Sequence, residues 1–181
     1  KRNVGETFML DKTKPAAALV EEWLEQFEST LTHANELPKL FHPDSYWRDV
    51  LALSWTFTTI NGRDAILAAL VTLASGHALR NFRLAPGRTA PRTVMRAGTQ
   101  CLEAIFEFET NEGRGSGVLR LIPDHDDNNT LKAWTLLTAL DELKGFEERD
   151  GRALSTGTAT ARNFLGPNWL DKRRAALAYQ D

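Results

Sequence analysis

The apolar residues of this chain change their spacing once, and that single switch limits the fold more than any motif does. Between Pro15 and Ala34, the residues Leu19, Val20, Trp23, Leu24, Phe27 and Leu31 fall on one face of a long amphipathic helix, with Thr13 as its cap and Pro15 in its first turn. Glu36 to Phe41 reads as a short second helix, and "SYWRDVLALSW" then has strand composition as far as Trp55. A further amphipathic helix runs from about Arg63 to Ser75, with Ile66, Leu67, Leu70 and Val71 inward and Gly76 as its stop. From there the pattern is that of strands. "ALRNFRLA", "RTVMRAG", "QCLEAIFEFET", "SGVLRLI" and "TLKAWTLLTAL" are rich in branched and aromatic residues and are divided by the turn-forming stretches "PGRTAP", "NEGRGSG" and "PDHDDNN". Ala104, Phe106 and Phe108 alternate with Glu103, Glu107 and Glu109, as one buried and one wet sheet face require. Helices first and a meander of five or six strands after them predict an α+β domain, its helices gathered on one face of a curved antiparallel sheet.

Beyond Leu143 the periodicity stops. "KGFEERDGRALSTGTATARNFLGPN" is small, polar and glycine-containing, so an extended strap is expected there, held by isolated anchors such as Phe146, Leu154, Phe164 and Leu165. Trp169 and Leu170 then open a short helix carrying Lys172, Arg173 and Arg174, with Leu177 and Tyr179 towards a surface. The expected division is a domain over 1–143 and a strap with its helix over 144–181.

Charge and cysteine content narrow the function classes. Twenty-two Lys and Arg against 24 Asp and Glu leave a net charge of -2, which provides no broad basic field for nucleic acid or an anionic membrane. One cysteine, Cys101, cannot make an intrachain disulfide, and no long apolar run is present, so the expected location is cytoplasmic. "GRGSG" (Gly113 to Gly117) superficially matches a phosphate loop, but it links two strands instead of opening a helix, and reads as a flexible hairpin turn. "DHDDNN" has Asn129 and Thr135 where a calcium loop needs glycine and a bidentate glutamate. His33, His42, His77 and His125 lack zinc-ligand spacing, so no metal is expected. There is no G-x-S-x-G nucleophile elbow.

The remaining candidate is "FHPDSYWRDVLALSW". Period two puts Trp47 and Asp49 on one face of the strand and Tyr46 and Arg48 on the other. If the first face looks into the sheet's concavity, Asp49 is a carboxylate in an aromatic pocket suited to acid or base chemistry, with Trp47, Trp55, Arg96 and Trp134 as lining and His42 as second choice. The alternative reading makes Arg48 and Asp49 a strand-edge ion pair and the tryptophans core. "TLKAWTLLTAL" is apolar on both faces, with Lys132, Trp134, Leu136 and Thr138 on one and Ala133, Thr135 and Leu137 on the other, which predicts a homodimer.

The order of long helix, short helix, "FHPDSYWRDVLAL" strand, "NGRDAI" helix and long meander, over about Pro15 to Leu143, resembles the nuclear transport factor two-like cone shared by SnoaL-like cyclases, dehydratases and isomerases. The pairing of "YWRDVLALSWTFTTINGRDAI" with "LDELKGFEERDG" and "NWLDKRR" is similar to the N-terminal part of flavin-containing monooxygenase-like proteins. That resemblance implies an accessory domain serving dimerisation, interdomain packing or substrate access. It also implies that FAD and NADPH are bound by a flavin domain of the same polypeptide, through contacts beyond Asp181 and none in this chain. The cone alone implies a small enzyme using Asp49 for proton transfer on a small apolar ligand; a pure dimerisation module is the third reading.

Overall fold

The computed structural model describes residues 14–31, 35–147 and 167–178. The chain divides into two compact units, 1–147 and 148–181.

In the first unit, α1 (Ala16–Thr30) buries Val20, Trp23, Leu24, Phe27 and Thr30. Its N-cap position is Pro15, in extended conformation and without a side-chain cap, while Thr13 lies outside the described residues. The Trp23 and Phe27 rings stack one turn apart at 5.0 Å. The indole Nε1 of Trp23 donates to Leu40 O at 3.2 Å, at the end of a 3-10 turn (Leu37–Leu40). Then come β1 (Phe41–Val50), β2 (Phe57–Asn61) and α2 (Arg63–His77), followed by β3 (Arg80–Leu84), β4 (Arg92–Arg96), β5 (Thr99–Glu109), β6 (Gly113–Asp124) and β7 (Thr130–Leu143). Gly76 sits inside α2; the stop is Ala78 in the left-handed region at φ 45°. Val71, expected inward, is exposed.

The seven strands form one sheet in the order β2-β1-β7-β6-β5-β3, with β4 also on β5. β5 is long enough for β4 to pair with its first half and β3 with its second. Every pairing is antiparallel except β1 with β7, which is parallel and joins the first strand of the sheet to the last. The α+β class, the helices gathered on one face and the long N-terminal helix against the sheet are those expected; β2 is the strand beyond the expected six. Phe41, Trp47, Phe82, Leu102, Ala104, Phe106, Phe108, Leu119, Leu121 and Leu136 form the core with the apolar stripe of α1.

The glycine-rich stretch is not a turn. Gly113, Gly115 and Gly117 take the inward positions of β6. A Cβ on Gly115 would stand 2.6 Å from Phe108 Cζ, and one on Gly117 would stand 2.3 Å from Phe106 Cζ. The phenyl rings of β5 therefore occupy the space that side chains on β6 would need. The turn itself lies earlier, where Thr110 N donates to Gly113 O and Thr110 Oγ1 accepts from the amides of Glu112 and Gly113.

β7 also departs from simple alternation. Arg120 pairs with Thr135 and Leu121 with Ala133, so Trp134 is the extra residue of a bulge. Ala133 therefore turns inward with Leu136 and Thr138, while Leu137 faces the opposite side. "DHDDNN" is a tight tip, closed by Asn129 N donating to Asp124 O at 3.0 Å and by Lys132 Nζ on Asp124 and Asp127.

In the second unit, α3 (Trp169–Leu177) starts at a reciprocal cap. Asn168 Oδ1 accepts from the amides of Leu170 and Asp171, and Asp171 Oδ2 accepts from Asn168 N. The Arg173 guanidinium lies 5.4 Å from the Trp169 ring centre. The expected anchors Leu154, Phe164 and Leu165, and Tyr179, lie outside the described residues.

Candidate functional site

The alternation of β1 turns Ser45, Trp47 and Asp49 inward and Tyr46 and Arg48 outward. Asp49 and Arg48 therefore point to opposite faces and are not an ion pair. Asp49 is 1% exposed. Its Oδ2 accepts from Leu53 N at 3.0 Å, Ser54 N at 2.7 Å and Ser54 Oγ at 2.7 Å, and its Oδ1 accepts from Thr138 Oγ1 at 2.7 Å. The Thr138 oxygen in turn accepts from Trp47 Nε1 at 3.0 Å. Three donors of the chain crowd Oδ2 and one reaches Oδ1, so the buried charge is answered by four hydrogen bonds from the chain. What Asp49 holds is the bend over residues 51–56, where Leu51 (φ 63°) and Trp55 (φ 55°) take left-handed conformations that cost a non-glycine residue about 1 kcal/mol or more each. Asp49 is thus a clamp tying this bend to β7.

The other residues expected at the site are dispersed. Trp55 sits in the bend, 47% exposed, with its ring 6.5 Å from that of His77. Trp134 is half-buried at the β7 bulge. His42 stands at the start of β1, where its Nδ1 accepts from Asp44 N at 3.2 Å. Arg96 lies on β4, its Nη2 2.6 Å from Glu103 Oε1 and its Nε 2.8 Å from Oε2. Arg120 Nε reaches the same carboxylate at 2.9 Å, and Arg92 approaches it at 3.8 Å. Hydrogen bonds from Arg96 first, and from Arg120, hold the Glu103 carboxyl below its ordinary value. Of the predicted lining, only Trp47 and Asp49 come together, bridged by Thr138. Sequence reasoning missed Ser54 and Thr138, and Thr138 carries no local signal because its partner is 89 residues away.

The face of the sheet away from α1 is a second feature. Row by row it presents Arg92, Glu103, Arg120, Thr135 and Tyr46, then Ile105, Val118, Leu137 and Arg48, then Glu107, Ser116, Ala139 and Val50. The apolar members are half-buried, so the helices of the first unit leave them open to contact. Near one end a shallow groove of about 220 Å³ is lined by Arg83, Glu107, Arg114, Asp141 and Glu142, among others.

Among the described residues no helix is long and apolar enough to cross a membrane, and no group of three or more His, Cys, Asp or Glu is placed to hold a metal ion. No family model and no curated protein matches the chain. Among solved structures it is similar to nuclear transport factor 2 from Cryptosporidium parvum, with 15% identity, 75% of this chain and 100% of that chain covered, and a TM-score of 0.46. It is similar to a steroid delta-isomerase from Pseudomonas aeruginosa, with 19% identity, coverages of 77% and 87%, and a TM-score of 0.43. A DUF4783 family protein from Bacteroides uniformis gives 9% identity, coverages of 65% and 96%, and a TM-score of 0.47.

Proposed function

We propose that this chain is a non-catalytic accessory domain that packs against another protein surface through its open sheet face, in a parent protein of the flavin-containing monooxygenase type. The observation that carries the non-catalytic part is the clamp: Asp49, the one buried carboxylate among the described residues, accepts four hydrogen bonds from the chain itself. The aromatic rings lying over the β6 glycines support the same reading, since they fill the inward face of the sheet with core side chains. The parent rests on the resemblance of "YWRDVLALSWTFTTINGRDAI" and "NWLDKRR" to the N-terminal part of such proteins. FAD and NADPH would then be held by residues outside this chain. Reading the coding frame past Asp181 tests the parent. A strand followed by a glycine-rich turn and a helix is the expected continuation, and a frame that continues into no dinucleotide-binding motif sinks it.

A second reading, a small stand-alone enzyme, is favoured by one observation, the Trp47–Thr138–Asp49 hydrogen-bond chain inside the cone. The two readings separate at Asp49. A clamp predicts that Asp49→Asn lowers the midpoint of urea unfolding and leaves the parent's turnover per folded molecule unchanged. Turnover lost at unchanged stability would favour the enzyme.

A further inference from the structure

We propose that β4 takes up an extended acidic segment of a partner protein as an additional strand, which bonds to the backbone of Thr93 and Met95 and sets its carboxylates against Arg92 and Arg96. This edge is a surface apart from the sheet face considered above.

A net charge of -2 conceals an uneven distribution along the chain. Between Asp64 and Glu103 there are five arginines, Arg80, Arg83, Arg88, Arg92 and Arg96, and no acidic residue. On β3, Arg80 and Arg83 are answered by Glu109 and Glu107. Further along, Arg92 and Arg96 of β4 share the Glu103 carboxylate with Arg120 of β6. Arg88, exposed in the connection ahead of β4, has no carboxylate within ion-pair distance among the described residues. This corner of the first unit is therefore cationic, four arginines against one glutamate.

The same corner holds an open backbone edge. β4 pairs with β5 alone, so among the described residues no strand covers its other side. Ala97 (φ 47°) and Gly98 (φ 76°) form the two-residue turn between the two strands, with Arg96 opposite Thr99. The residues flanking such a turn are a hydrogen-bonded pair, and by alternation so are Val94 with Cys101 and Arg92 with Glu103. Thr93 and Met95 then turn their amides and carbonyls away from β5, towards the open edge. Both residues are exposed, Met95 by 60%.

Charge decides what can fill that edge. Arg92, Val94 and Arg96 share one face of β4. A matching strand carries two carboxylates four positions apart, about 13 Å along its length, with an apolar residue midway opposite Val94. A second β4 in antiparallel register would set arginine opposite arginine, and like charges directly opposite are destabilising. The arginines thus guard the edge against a copy of itself while they accept an acidic strand. In strand addition the main-chain bonds supply affinity and the alternate side chains supply choice.

The probe is a capped synthetic peptide with two glutamates four positions apart, valine midway and threonine elsewhere, followed by fluorescence anisotropy with the full 181-residue chain. Replacing both glutamates by glutamine should weaken binding about tenfold or more. Arg88→Gln with Arg92→Gln should weaken it to a similar extent and leaves Arg96 and Arg120 on Glu103. Thr93→Pro removes an amide that the β4–β5 ladder does not use, so the chain should fold and lose the peptide. Circular dichroism confirms folding of each variant. In the wild type the peptide should slow hydrogen exchange at the Thr93 and Met95 amides. No binding at millimolar peptide, or a glutamine peptide that binds as well, would overturn the proposal. So would a Thr93→Pro chain that binds like wild type, since the arginines would then be only a charged surface. Polyuridylate bound more tightly than the peptide and indifferent to Thr93→Pro would overturn it in favour of nucleic acid. The coding-frame test of the parent is independent of all these outcomes.

Discussion

Asp49 shows how much one side chain can commit. Four donors converge on it, two of them backbone amides of a bend that would otherwise be left buried without partners. Replacing it with alanine should cost about 3 kcal/mol or more, the loss expected when a hydrogen-bonded charge leaves buried groups unpaired, and urea unfolding reads this directly. Glu103 predicts a pH dependence. Its carboxyl is held below the ordinary value by Arg96 and Arg120, so its contribution is complete above the unfolded value of about 4.3. It is lost as the pH falls from there through the lower folded value. Thermal unfolding followed from pH 6 to 3 should show a shallower decline for Glu103→Gln than for wild type. Cys101 is fully buried, and burial pushes its thiol up. It should react with a thiol reagent only on unfolding, and rapid native-state labelling would contradict its position. The alternation of Trp47 with Tyr46 and of Asp49 with Arg48 was legible in the sequence. What Asp49 does was not, because Ser54 lies in a bend with left-handed backbone and Thr138 lies on the far strand. Residue types alone could not distinguish a free carboxylate from one held by four donors.

The β5–β6 pair carries the corresponding lesson for elements. Gly and Ser are turn residues in most contexts, so "GRGSG" looked like a hairpin loop, yet its glycines are strand positions cleared for Phe106 and Phe108. A Cβ on Gly117 would also stand 2.2 Å from Leu137 O, a backbone atom that can yield only by moving β7. Gly117→Ala should therefore destabilise by about 1–3 kcal/mol through overpacking. Phe106→Leu in the same chain should recover part of the loss if the ring is the obstacle, as a thermal-unfolding cycle of the two changes would show. α1 was legible because its stripe repeats over four turns, and α3 because Trp169 and Leu170 open it. The end of α2 was not, since Ala78 terminates it in a conformation usually left to glycine. The bulge at Trp134 was hidden for a related reason: one inserted residue reverses the alternation on its N-terminal side and leaves no mark in composition.

For the first unit as a whole, segregated helices and strands announced the α+β class, but the one parallel pairing could not be read. β1 and β7 meet across some ninety residues, and pairing at that distance leaves no turn chemistry behind it. This closure has a consequence during synthesis. The ribosome delivers β1 early, whereas the strand that will lie between it and the rest of the sheet emerges last. Until then the nascent chain holds Trp47 and Phe41 without their cover, Asp49 without Thr138, and a β1–β2 hairpin joined to little else. Loop closure of this length makes the final docking the slow event, as it is wherever distant segments must find one another. A chain arrested at Asp124 should therefore unfold without a cooperative transition and be cut rapidly by protease, although it already contains α1, α2 and the strands β1 to β6. The nascent form, with an unfinished edge on β1 and another on β6, is what a trigger-type chaperone would have to shield until the last fourteen-residue strand arrives.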